Sequence, residues 1–200
     1  MNETLADRDL SFAPVCNESP QRLTAEQIDF YNENGYLKPF RIFDASEAQA
    51  NREYFDSLLQ RIAQMNDGRD GYSINGYQAR CQGIYDLCVN PNILDYVEDL
   101  VGPDIVCWGA HYFCKMPHDL KAVPWHQDAA YWPLTPSRTV TVWLAIDDAD
   151  KENGAMRFVP GTHRHLGLLE HQDATGPSVL GHEIVNVQAY GEPVHDELMA

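Results

Sequence analysis

The chain has 200 residues, 44% apolar and 22% charged, which suits a soluble globular domain with a sizeable core. A formal charge of −16 argues against a nucleic-acid partner, whose phosphates need a basic stripe, and against adhesion to anionic membrane surfaces. No apolar run is long enough to span a bilayer, and the charged start, Met1-Asn-Glu-Thr-Leu-Ala-Asp-Arg-Asp, lacks the layout of a signal peptide.

Residues 1–22 are polar with scattered prolines and predict an irregular leader; residues 23–200 form the domain. A helix is expected from Leu23-Thr-Ala-Glu-Gln, where Thr24 and Gln27 can form a capping box, to Gly35, which suits the left-handed position after a helix end. Tyr36-Leu37 reads as a short strand. Apolar residues at Tyr54, Phe55, Leu58, Leu59 and Ile62 recur at three and four and predict a second helix from near Ser46 to Met65. Residues 67–83, rich in Gly, Asn and Tyr, read as a long loop. Asn90-Pro91 opens another helix, which Gly102-Pro103 ends.

From there the pattern turns to β. Strands are expected over Ile105–Lys115, Thr139–Ile146, Met156–Val159 and Glu183–Val187. Helices first and strands later imply an α+β fold, with antiparallel sheets behind a helical cover. Five cysteines, Cys16, Cys81, Cys88, Cys107 and Cys114, make neither an even framework nor a CxxC pair. Free thiols in a reducing cytoplasm are the economical reading.

The chemistry is concentrated in Val123-Pro-Trp-His-Gln-Asp128. On a strand, residues two apart share a face, so His126 and Asp128 are expected side by side, aimed at one point. They supply two of the three ligands of a 2-His-1-carboxylate facial triad, the arrangement that holds non-haem Fe(II) with positions left open.

Together with this motif, two further segments resemble the phytanoyl-CoA dioxygenase family of Fe(II)/2-oxoglutarate-dependent oxygenases. Leu23-Thr-Ala-Glu-Gln-Ile-Asp-Phe-Tyr-Asn-Glu-Asn-Gly-Tyr-Leu37 is similar to the family's N-terminal helix and first strand. Asn153-Gly-Ala-Met-Arg-Phe-Val-Pro-Gly-Thr-His163 is similar to the segment that members carry after the next strand. The resemblance implies a double-stranded β-helix, a cupin-like jelly roll with the N-terminal helices packed on one sheet. It implies Fe(II), 2-oxoglutarate and O₂ as the reacting set, His126 and Asp128 as iron ligands and catalytic residues, and a small organic substrate that is hydroxylated with release of succinate and CO₂. Gln127 and Trp143 match positions that touch the cosubstrate in some members; for Trp143 a core aromatic is an equal reading. Asp128 stands where halogenating relatives carry a small residue, which favours hydroxylation.

The match departs at its far end. Family members carry a second histidine ligand well after the Pro-Gly-Ser/Thr-His segment, and then an arginine that pairs with 2-oxoglutarate. On this register the chain stops at Glu197-Leu-Met-Ala200, so the second histidine, the arginine and the last strands are expected to be missing, leaving sheet edges open. His195, near a terminal strand, is the least implausible stand-in. His163, His165 and His171 are expected in surface loops, His182 exposed, and His111 and His118 structural or solvent-facing. A non-catalytic fragment or oxygenase-derived binding protein is the rival reading, and a cupin-like metal enzyme independent of 2-oxoglutarate is a third.

Overall fold

Helix boundaries in this chain follow from local chemistry, and the computed structural model, which describes residues 8–165 and 167–195, shows four of them. They are α1 (Ala25–Asn34), α2 (Ala45–Met65), α3 (Gln82–Cys88) and α4 (Pro91–Val101). The described strands are β1 (Arg157–Phe158), β2 (His171–Asp173), β3 (His182–Ile184) and β4 (Val194–His195). They form two small sheets, β1 with β4 and β2 antiparallel to β3, with His171 opposite Ile184 and Asp173 opposite His182. Two compact units result. Among the described residues, one contains 8–37, Leu120–Thr141 and the described part of Arg157–Val194; the other contains Lys38–Asp119, Val142–Met156 and His195.

In the first unit, α1 begins with the anticipated capping box. The Thr24 hydroxyl accepts from Gln27 N at 3.2 Å and the Gln27 side chain accepts from Thr24 N at 2.9 Å. Gly35 ends the helix in the left-handed region, φ 83°, with its N–H on the Tyr31 carbonyl. Leu23 and Ile28 bury the inner face of this start, and Val187 is buried elsewhere in the unit. Residues 8–22 contain no helix or strand, in line with an irregular leader. They are nonetheless tied down, for Asn32 exchanges two hydrogen bonds with the backbone of Val15, at 2.8 and 3.0 Å.

In the second unit, α2 buries Phe55 and Leu58, which meet Ile74 and Ile84 in the core. Its first turn is held by Asp44, whose carboxylate accepts from Ser46 N and Glu47 N at 2.8 and 2.9 Å, while Glu47 accepts from Asp44 N at 2.9 Å. Asp44→Ala strips that cap and is expected to lower unfolding stability by about 1 kcal/mol in urea denaturation. Helix α3 lies where a loop and unassigned residues were expected. It is only seven residues long, has no side-chain cap, and carries Gly83, a poor helix former. The glycine is there for space: a Cβ would come within 2.6 Å of the Tyr54 ring, whose hydroxyl takes the Gly83 N–H at 3.2 Å.

The β expectations need correction. Tyr36-Leu37 is not a strand, and neither Ile105–Lys115 nor Thr139–Ile146 forms a ladder among the described residues. Only a short stretch of the first is paired, through Gly76 N to Ala110 O and Tyr112 N to Ile74 O, at 2.9 and 3.0 Å. The partner is thus part of the segment read as a loop. Alternating sequence makes a segment competent to be a strand, but a strand exists only where a second one lies alongside. Val106, 88% exposed, shows how little of the apolar alternation here is buried. The α+β mixture is present, with short strands in place of the broad sheets anticipated.

Candidate metal centre

The segment carrying His126 is anchored in the first unit before it reaches the histidine. Ala122 N bonds to the Pro177 carbonyl at 3.1 Å and Val179 N to the Ala122 carbonyl at 2.9 Å. Ile184 N, at the end of β3, donates to the Trp125 carbonyl at 2.8 Å, and the Arg157 guanidinium lies 4.9 Å from the Trp125 ring centre. The strand expected at 126–128 does not form. Gln127 is extended, φ −111° and ψ 128°, and Asp128 opens a 3-10 turn, Asp128–Ala130. One extended residue between them suffices to keep the two flanking side chains on one side.

The geometry of the pair is specific. His126 Nε2 lies 3.2 Å from Asp128 Oδ1, and His126 Nδ1 lies 2.8 Å from the Pro124 carbonyl oxygen. A carbonyl can only accept, so Nδ1 carries the hydrogen and donates it. In the neutral ring Nε2 is then a lone pair facing a carboxylate oxygen that is also an acceptor. Two acceptors hold together at 3.2 Å only with a positive charge between them. A proton can fill that role. Burial works against a charged imidazole, but the hydrogen bonds to Asp128 and Pro124, with the Asp128 charge, outweigh it and hold the His126 pKa above its ordinary value.

A metal ion can fill the same role. Adjacent donors on an octahedral ion with bonds of about 2.1 Å sit about 3 Å apart, close to the observed separation. The imidazole nitrogen is pre-set in the metal-binding tautomer by the bond its other nitrogen makes. Thr141 donates its hydroxyl to Asp128 Oδ2 at 3.2 Å, leaving Oδ1 for the histidine side. The pair therefore fits a divalent cation with nitrogen and oxygen ligands. Among the described residues no third His, Cys, Asp or Glu joins it.

Gln127 points its amide elsewhere in the same unit. Its oxygen accepts from Leu169 N at 2.7 Å and its nitrogen donates to the Gly167 carbonyl at 3.3 Å, so it clamps the 167–169 backbone. Tyr131 sets its ring edge-on to His126, centres 6.0 Å apart, and donates its hydroxyl to the His182 carbonyl at 3.2 Å. Trp143 is half-buried in the second unit.

Of the other histidines, His182 and His165 are exposed as expected, and His118 is also exposed. His163 and His171 are not surface-loop residues. His163 packs edge-on to Phe12, centres 4.4 Å apart, and donates Nε2–H to the Asn32 carbonyl at 3.1 Å. Burial, with Arg164 nearby, outweighs that bond and pushes its pKa down. His171 is half-buried in β2 and donates Nδ1–H to the Leu169 carbonyl at 2.7 Å. His111 is structural, with Nε2 on the Tyr72 carbonyl at 2.9 Å, and His195 is half-buried in β4.

The Thr141 bond and the Gln127 clamp escaped the sequence. Each depends on which backbone comes near, and no spacing reports that.

The family model described as Phytanoyl-CoA dioxygenase (PhyH) matches residues 31–189. The bovine protein named "Phytanoyl-CoA dioxygenase, peroxisomal" is 27% identical over 198 residues, covering 86% of this chain and 58% of its own length. The mouse protein of the same name is 30% identical over 172 residues, 76% of this chain and 50% of its own. A Stutzerimonas stutzeri protein named "Probable alpha-ketoglutarate-dependent hypophosphite dioxygenase" is 26% identical over 161 residues, 70% and 54% respectively. The chain spans about half the length of the curated relatives it matches.

Proposed function

The chain belongs to the phytanoyl-CoA dioxygenase family, and from that premise we propose that it serves as an Fe(II)/2-oxoglutarate-dependent dioxygenase hydroxylating a small organic substrate. The observation that carries this reading is the facing of His126 Nε2 and Asp128 Oδ1 at 3.2 Å, a pair that a proton or a divalent cation can bridge. His126 and Asp128 would hold the iron. When bound, Fe(II) with 2-oxoglutarate would supply reductive activation of O₂, the 2-oxoglutarate being oxidatively decarboxylated to succinate and CO₂.

The chain's own part is positional. The Pro124 carbonyl fixes the imidazole tautomer, Thr141 fixes the carboxylate, and the Gln127 clamp holds the 167–169 backbone beside them. Gln127 and Trp143 are assigned to the cosubstrate on family resemblance, and the jelly roll proposed for the complete fold has the same support. A cytoplasmic location is proposed on five free cysteines. No helix among the described residues is long and apolar enough to cross a membrane.

The decisive assay follows release of CO₂ from carboxyl-labelled 2-oxoglutarate. Release is expected to require both Fe(II) and O₂ and to cease when either is withheld. Binding of Fe(II) without any such release, across a panel of small organic substrates, would remove the dioxygenase reading.

A further inference from the structure

Residues 8–15 of the leader lie before the stretch matched by the family model, and they reach the ligand turn directly. Arg8 donates through Nη1 to the Trp132 carbonyl and through Nη2 to the Ala129 carbonyl at 2.7 Å. Ala129 lies within the Asp128–Ala130 turn and Trp132 lies just beyond its end. Within that turn the Tyr131 and Trp132 amides already converge on the Asp128 carbonyl, at 2.9 and 3.2 Å. Carbonyls at the end of a helical turn lack intrahelical partners, and a planar guanidinium can satisfy two at once.

The rest of the leader keeps Arg8 in place. Asp9 N donates to Thr135 Oγ1 at 3.0 Å, and Ser137 N donates to the Asp9 carbonyl at 2.9 Å. Phe12 sets its ring against His163, and Val15 is locked to Asn32 on α1. An irregular segment loses about 1–2 kcal/mol of backbone entropy per ordered residue, so it stays ordered only because these bonds offset that loss.

We propose that the leader is a strap and that Arg8 is a positioning residue for the metal pair, holding the 128–132 turn so that Asp128 stays opposite His126. The proposal rests on the metal reading given above. A lysine delivers one point charge and cannot reproduce the two-pronged contact.

The test uses the whole chain, with Arg8→Ala and Arg8→Lys, and two readouts. The first, without metal, is hydrogen exchange at the Ala130, Tyr131 and Trp132 amides. Protection is expected to fall about tenfold in R8A and to recover only in part in R8K, while amides in α2 keep their protection. The second is Co(II) affinity followed by visible absorption, expected to weaken about tenfold in R8A, the low end for residues that orient ligands. Unchanged protection at 130–132, or unchanged Co(II) affinity in R8A when the parent protein binds Co(II), overturns the strap. A parent protein that binds no Co(II) overturns the metal reading first and the strap with it.

Discussion

Asp128→Ala is expected to remove measurable Co(II) or Fe(II) binding and, with it, any 2-oxoglutarate turnover. Structural metal sites gather roughly 10–16 kcal/mol from about four donors, or about 3 kcal/mol each, so losing one donor weakens binding about a hundredfold. At a site with two described donors, His126 and Asp128, little is left to hold the ion. The variant also has a metal-free signature. The His126 pKa is raised because Asp128 and the Pro124 carbonyl outweigh the cost of burial. Without the carboxylate, burial dominates and the value falls.

The sign for stability follows. A histidine whose folded pKa is raised contributes stability that is fully present below its unfolded value, about 6.5, and is lost as pH rises through the folded value. Asp128→Ala should therefore flatten the pH dependence of the melting temperature across that window. An NMR titration of His126 in both proteins checks the cause directly. An unmoved His126 titration would mean that the two side chains do not face each other in solution.

What could be read before any coordinates is a matter of range. The Thr24–Gln27 capping box, the Gly35 terminus and the α2 stripe at 54, 55, 58, 59 and 62 involve residues a few positions apart, and each is where the sequence places it. The His126–Asp128 pair was legible for the same reason, although one extended residue and a 3-10 turn bring the groups together where a strand was expected. The strands expected at 156–159 and 183–187 are present in part, as β1 and β3, whereas those at 105–115 and 139–146 form no ladder because a strand needs a partner and the partners are distant. Nothing in 105–115 announces that Ala110 and Tyr112 pair with 74–76. Helix α3 was hidden by Gly83, whose low helix propensity is outweighed by the space the Tyr54 ring requires. Arg8 was illegible altogether, being one cation in a polar leader that acts on a turn more than a hundred residues later.

The resemblance went further than any single motif because its pieces touch. The opening helix and the Pro160-Gly-Thr-His163 segment, far apart in the chain, meet at the end of α1. Gly161 N donates to the Asn34 carbonyl at 2.9 Å, and the Tyr36 ring packs against Phe158, tilted at 49° with centres 4.2 Å apart. A motif of this kind records a packing contact, which is why it can accompany a metal site without supplying a ligand.

Gly35→Ala is the sharpest test of that contact, with an expected loss of about 2–4 kcal/mol in urea or thermal unfolding. Two effects add. At φ 83° a Cβ costs about 1 kcal/mol, because only glycine occupies the left-handed region freely. The Cβ would also stand 2.4 Å from His163 Nδ1 and 2.7 Å from its Cγ, the inner atoms of a ring that Phe12 and the Asn32 carbonyl hold in place. Forcing extra volume into such a site costs about 1–3 kcal/mol more. The two parts separate in a double mutant. His163→Ala relieves the overlap but leaves the backbone conformation unchanged, so Gly35→Ala should cost only about 1 kcal/mol in that background. The non-additivity of about 1–3 kcal/mol is the measure of the contact. Strict additivity would leave only the backbone term and place His163 away from the helix end, and with it the seat that the Pro-Gly-Thr-His turn gives α1.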